Sequence, residues 1–297
     1  MGYLFLAIAL LAGSTKGFCG KKASGYIKGF RSTILASTLR MVLCAAVGFV
    51  LVLVGNGPSA FAAPGKLYLV SALYGLSMAS MVVLWLIIVK KSVYTLLNIF
   101  AMMGLLIPLI TTRILFGEPI DPIQCLGLCV LFSAVLIMCS YNNSVKGKLT
   151  LPVLGLLISY GTVCGLCDLS SKLFVKFVPN TPTVVFNFYT YLFAAIVLII
   201  ASFITRSPSG NLKEELSELK KPLGYIAVMA AALFINSYFK TLAAARLDSI
   251  LLYPLNQGGG LILAATMSSV VFREKLTWKA GIGLATAFLG LMMINVL

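Results

Sequence analysis

Apolar runs of about 20 residues recur from one end of this chain to the other. Each is long enough to cross a hydrocarbon core roughly 30 Å thick as a helix. Backbone within lipid has no water to bond, so such runs must be helices or the strands of a closed barrel. They do not alternate apolar and polar residues in short segments, as barrel strands would. With 60% of residues hydrophobic and 10% charged, polar surface is too scarce to cover a water-soluble body of 297 residues. The expected class is an all-α integral membrane protein whose main partner is the lipid bilayer.

Ten transmembrane helices can be drawn, near residues 2–21, 31–54, 67–89, 92–115, 122–141, 151–175, 183–205, 222–244, 249–272 and 278–296. Their connections are short, as neighbours in a bundle require. Between the seventh and eighth, Leu212, Leu216 and Leu219 share one face and predict a short surface helix. The polar stretch from Asn142 to Lys148 is the expected joint between residues 1–145 and 146–297. These halves echo each other. Phe116-Gly117-Glu118 lies over Phe272-Arg273-Glu274, Gly104 over Gly260, Gly127-Leu128 over Gly283-Leu284 and Phe132 over Phe288. Helix one matches helix six, with Gly13-x-x-x-Gly17 over Gly161-x-x-x-Gly165 and Cys19 over Cys167. That glycine spacing lets helix backbones approach closely. An odd number of helices per unit sends the second unit in from the opposite side, so the expected architecture is two inverted five-helix repeats.

A net charge of +15 would suggest nucleic acid in a soluble protein, but here the basic residues flank the apolar runs. In that position they meet headgroups and fix topology, and no nucleic-acid partner is expected. Of the 23 lysines and arginines, only Lys66, Arg113, Lys172, Lys176 and Arg246 fall on the face that follows even-numbered helices. Lys16, Arg40 and Lys240 lie within helices, and the rest follow odd-numbered ones. The bias predicts a multi-pass protein of the cell membrane with both termini on the non-cytoplasmic side. The first apolar run lacks a basic leader region and reads as helix one rather than a cleaved signal. The seven cysteines fall mostly inside apolar runs. Cys164-x-x-Cys167 invites a redox or metal reading, but it has no second pair and no histidine beside it, so packing is expected. No metal or cofactor is expected.

Duplicated units with interrupted helices are the pattern of alternating-access carriers, whose sites lie near mid-membrane between the repeats. Helices one, four, six and nine are the expected hosts. Along helix nine, Ser249, Tyr253, Asn256 and Gly260 share one face with Gln257 beside them, while Pro254 and Gly258 to Gly260 weaken the helix. These residues can offer amides and backbone to a solute, or can serve close packing. In helix four Ser92, Thr95 and Asn98 form the matching stripe, and Pro108 interrupts further along. In helix three Tyr74, Ser77, Met81 and Trp85 share a face that is either a binding wall or packing. Charges within a membrane are functional candidates. Lys16 and Lys240 sit near helix ends, either to bind a ligand or to snorkel. Arg40 lies deeper and reads as an ion pair or gate. Asp168 reads as a proton site or as the local partner of Lys172, one turn on.

These residues carry a resemblance to the drug/metabolite transporter superfamily, specifically its ten-helix EamA-like branch. Gly13-Ser14 with Lys21, then Thr38-Leu39-Arg40, resemble its helix-one and helix-two patterns. Phe116-x-Glu118 with Gly127, and Phe272-x-Glu274 with Gly283, resemble its repeated turn. Ala12 departs from the Trp often found there. The resemblance implies a ten-helix bundle with a central cavity and transport of small organic solutes without ATP. It also favours cytoplasmic termini, opposite to the charge count, which we retain. The expected function is a secondary carrier for a small polar metabolite, not an enzyme. A proton-coupled exporter of organic cations is the alternative, since Asp168 offers a carboxylate for proton and cation to share. An integral membrane enzyme is the more distant one, since clustered acids and histidines are lacking.

Overall fold

A computed structural model of the chain describes residues 1–27, 29–91, 100–141, 151–205, 219–270 and 278–295. Ten α-helices make up nearly all of this part: α1 (Gly2–Ser24), α2 (Gly29–Asn56), α3 (Gly65–Lys91), α4 (Leu106–Phe116), α5 (Pro122–Tyr141), α6 (Leu151–Phe177), α7 (Thr183–Ile204), α8 (Leu223–Ala244), α9 (Ser249–Val270) and α10 (Trp278–Asn295). A short 3-10 turn, Pro58–Phe61, joins α2 to α3. Six of the helices, α1, α2, α3, α6, α7 and α8, are long and apolar enough to cross a bilayer. Leu69, Ile114, Ile204 and Val54 are among the many large apolar side chains left exposed. In water these would be an aggregation hazard; around a membrane bundle they form the lipid-facing surface. The protein is a multi-pass membrane protein.

Packing is dominated by a few long contacts. Helix α1 lies along α8 and α6 along α3, while α2 pairs with α7 and α5 with α10. One apolar cluster joins α4, α5, α6, α9 and α10 through Leu109, Leu131, Leu157, Leu252, Leu261 and Leu291. A second joins α2, α3, α6, α7 and α8 through Met41, Tyr74, Phe174, Phe186 and Leu233. Where they meet, packing is incomplete and a cavity remains.

The fourth expected helix is broken. Residues 100–103 are helical, Gly104 and Leu105 form a turn, and α4 starts again at Leu106. Pro108 has no N–H to give the Gly104 carbonyl four residues back, and that carbonyl accepts from the Ile107 N–H instead, at 3.1 Å. The interruption expected near Pro108 therefore falls one turn earlier. Gly104 also seats directly on α6, where a Cβ would collide with the carbonyl of Gly161. On the other side, a Cβ on Gly161 or Gly165 would strike the carbonyls of Phe100 and Gly104. The second Gly-x-x-x-Gly is thus a backbone crossing, as its spacing predicts. The first is used differently, since Gly13 faces the side-chain amide of Asn236.

Helix α9 corrects another expectation. It runs unbroken through Pro254 and the three glycines. Gly258 packs on Leu291 and Gly259 on Leu10, so two of the three serve close packing. Only Gly260 has open space in front of it. The surface helix expected near Leu212 and Leu216 lies outside the described residues, as does the Phe272-x-Glu274 turn. Leu219, its last predicted apolar position, is buried beside Cys19, Ala23 and Ile226.

Candidate functional site

The cavity holds about 120 Å³ and lies midway along the helices around it. Helix α1 presents Gly13, Ser14, Lys16 and Gly17; α3 presents Tyr74, Met78, Met81 and Trp85. Helix α6 brings Tyr160, Cys164, Cys167 and Asp168, α8 brings Asn236, Ser237 and Lys240, and α9 brings Asn256, Gln257 and Gly260. Ala101, before the break in helix four, completes the wall. Most expected site residues therefore converge, but the hosting helices differ from expectation. Helices α3 and α8 contribute as fully as α1, α6 and α9. Thr95 and Asn98, with Ser92, lie outside the described residues.

Asp168 is the centre of the polar wall. Its Oδ1 accepts from Lys240 Nζ at 2.7 Å and its Oδ2 from Gln257 Nε2 at 3.3 Å, while Tyr253 OH donates to its backbone carbonyl at 2.7 Å. One residue thus ties α6 to α8 and α9. Asp168 is 1% exposed and Lys240 8%, so each charge depends on the other for compensation. The expected local partner, Lys172, is not used. One helical turn would bring the two side chains onto the same face, yet Lys240 on a facing helix supplies the contact at 2.7 Å. Nor does Lys240 snorkel; its ammonium is held inward by that carboxylate. Lys16, two turns from the end of α1, also turns inward to the cavity rather than to headgroups.

Arg40 stands in an adjoining recess with Lys16, Met81, Trp85, Tyr160 and Met229. It is 3% exposed, no carboxylate pairs with it among the described residues, and its Nε is buried without a hydrogen-bond partner. The structural ion pair expected of Arg40 is absent among those residues. A further recess continues past Arg40 and Met229 to Ile27, Ala36, Leu86 and Ile226, towards the face that follows odd-numbered helices. Trp85 borders both cavity and first recess, and Gly20 makes room for it: a Cβ there would collide with the indole. Ser77, grouped with these residues by periodicity, bonds back to the Leu73 carbonyl at 2.9 Å, and Met78 takes its place in the wall.

Lys172 has a different carboxylate. Gly117 closes α4 in the left-handed region at φ 63°, which only glycine enters freely, and swings Glu118 inward. Glu118 meets Lys172 Nζ at 2.9 Å and accepts the Ser249 N–H, at the start of α9, at 3.0 Å. Lys172 also donates to the Leu247 carbonyl at 2.9 Å. Burial by itself would push the Glu118 carboxyl up, but Lys172 and the Ser249 N–H outweigh it and hold the group below its usual range. The Phe-x-Glu turn is therefore a latch joining the α4–α5 loop to α6 and the α8–α9 loop. Its sequence signal was the repeat; its partners were not visible.

The polar residues missed from sequence are Ser14, Tyr160, Cys164, Cys167, Asn236 and Ser237. Asn236 Nδ2 donates to the Ala9 carbonyl at 2.6 Å, opposite Gly13. Cys164 and Cys167 are buried free thiols. The signal available for these was their placement one or two turns from Lys16, Asp168 and Lys240 on the same helices.

Residues 153–296 match the EamA-like transporter family. No curated protein matches the chain. A solved crystal structure, described only as that of a protein, has the same fold with a TM-score of 0.73, at 17% identity, over 99% of this chain and 96% of that one.

Proposed function

On the premise that residues 153–296 form an EamA-like transporter unit, within a chain of the drug/metabolite transporter type, we propose that the protein is a secondary carrier. It moves a small polar metabolite across the cell membrane by alternating access. The observation that carries this reading is the mid-depth cavity, whose wall draws polar and charged groups from five helices. Carriers built from two repeats place their sites there. Residues 1–145 and 146–297 are the two inverted repeats in this reading. Exchanging α1 with α6, α2 with α7, α3 with α8 and α5 with α10 returns the same main helix pairs, which supports it. The broken fourth helix supports it further. Asn256, Gln257, Gly260, Tyr74 and Trp85 contact the solute, Asp168 and Lys240 form the wall that rearranges, and both termini lie outside the cytoplasm.

Export of organic cations is the weaker reading, because the cavity carboxylate is already taken by Lys240 at 2.7 Å. A cation would have to displace an ammonium held in a dry site. The experiment is solute counterflow in proteoliposomes, with and without an uncoupler, using amino acids, nucleosides, sugars, organic acids, phosphate esters and quaternary amines. A carrier accelerates exchange of its solute with its unlabelled form. Passive flow without exchange would indicate a channel, and chemical conversion of the solute would indicate an enzyme; either sinks the carrier reading.

A further inference from the structure

Among the described residues, Lys16 and Arg40 are the two cations of this site that lack a carboxylate. Lys16 borders the cavity, Arg40 the adjoining recess, and the two share that recess with Trp85 and Tyr160. Lys240 is also within electrostatic reach of Lys16, but Asp168 neutralises it. Among the described residues nothing forms an ion pair or hydrogen bond with Lys16. The same holds for Arg40, whose Nε is buried and unpartnered. Unpaired charge at this depth is expensive, and a protein keeps it where something else compensates.

Resting on the carrier reading, we propose that Lys16 and Arg40 form an oxyanion subsite, and that the transported solute is a small organic anion, a carboxylate or a phosphate ester. The guanidinium offers a planar set of donors suited to two oxygens, and the ammonium a third, movable donor. Asn256, Gln257 and Asn236 lie across the cavity for the uncharged part of the solute. The recess holding Arg40 continues towards the face that follows odd-numbered helices, where most of the chain's lysines and arginines fall. A basic mouth concentrates anions before they enter.

The test is a thermal-shift titration of the full-length protein in detergent, followed by counterflow with each solute that binds. The probes are carboxylates from acetate to citrate, their amides, glycerol phosphate beside glycerol, and the amines ethanolamine and choline. The expected result is stabilisation by at least one anion and not by its neutral counterpart. In Lys16→Gln and Arg40→Gln the half-saturating concentration should rise about tenfold or more, the loss of a charge-assisted bond. Lys16→Arg should retain binding. Arg40→Lys should retain part of it, so a variant that merely misfolds is recognised. Stabilisation by amides, glycerol or amines that survives Lys16→Gln would overturn the anion assignment while leaving the carrier intact. Binding or exchange by none of the probes would overturn the assignment; if the wider panel of neutral and cationic solutes also gave no exchange, the carrier reading would fall with it.

Discussion

Asp168 and Lys240 show why a single carboxylate can organise a cavity. Either charge alone would be stranded in a dry wall, so removing one partner should cost about 3–5 kcal/mol, and removing both should cost less. We expect the melting temperature of Asp168→Asn to fall further than that of Asp168→Asn combined with Lys240→Met; equal losses would mean the pair is not compensating. Glu118 gives a pH dependence with a definite sign. Its folded carboxyl titrates below the unfolded value near 4.5, so its stabilisation is fully present above that pH. That contribution is lost as pH falls through the depressed folded value. Glu118→Gln should flatten the stability profile on the acid side, a change read by thermal unfolding between neutral pH and about pH 3.

At the scale of elements, the close crossing of helix four with α6 lies within the first apolar cluster and sets how its helices meet. Gly161→Ala or Gly104→Ala forces a methyl into facing backbone that has no side chain to yield, and overpacking of this kind costs about 1–3 kcal/mol or more. Gly260→Ala, with open space before it, should leave unfolding unchanged while narrowing the cavity. Comparing melting temperatures of the three variants checks the distinction. Sequence periodicity made this crossing legible, because two glycines one turn apart report on backbone approach without knowledge of the partner. It gave no warning that Gly13 would face an asparagine side chain, or that α9 would absorb Pro254 without breaking. The partner of a small residue is a tertiary fact, and spacing alone did not tell whether Pro254, inside α9, would break the helix or be absorbed by it. Charge pairing was illegible for the same reason. Asp168 and Lys172 are neighbours in sequence, but the ammonium that pairs with Asp168 comes from α8 and the carboxylate that pairs with Lys172 from the loop after α4.

For the whole molecule, the asymmetry of basic residues between the two faces predicts where the ends lie. A fluorescent protein that matures only in the cytoplasm should stay dark when fused at the C-terminus, and a periplasmic or extracellular reporter there should be active. Bright fluorescence would reverse the topology. The helical membrane class followed directly from the apolar runs, and the polar face of α9 and the intramembrane charges Lys16 and Asp168 pointed to residues that line the cavity. Pattern pointed to Tyr74 and Trp85 of α3 and to Lys240 of α8, but not to Met78, Asn236 and Ser237, which look like ordinary packing until the facing helix is in place. The indole that Gly20 accommodates has one more use. The chain has two tryptophans, and Trp278 stands 84% exposed at the start of α10. With Trp278→Phe, all remaining tryptophan emission would come from Trp85, on the wall between cavity and recess. The protein would then carry its own optical reporter, whose colour and intensity follow the filling and emptying of the site in real time.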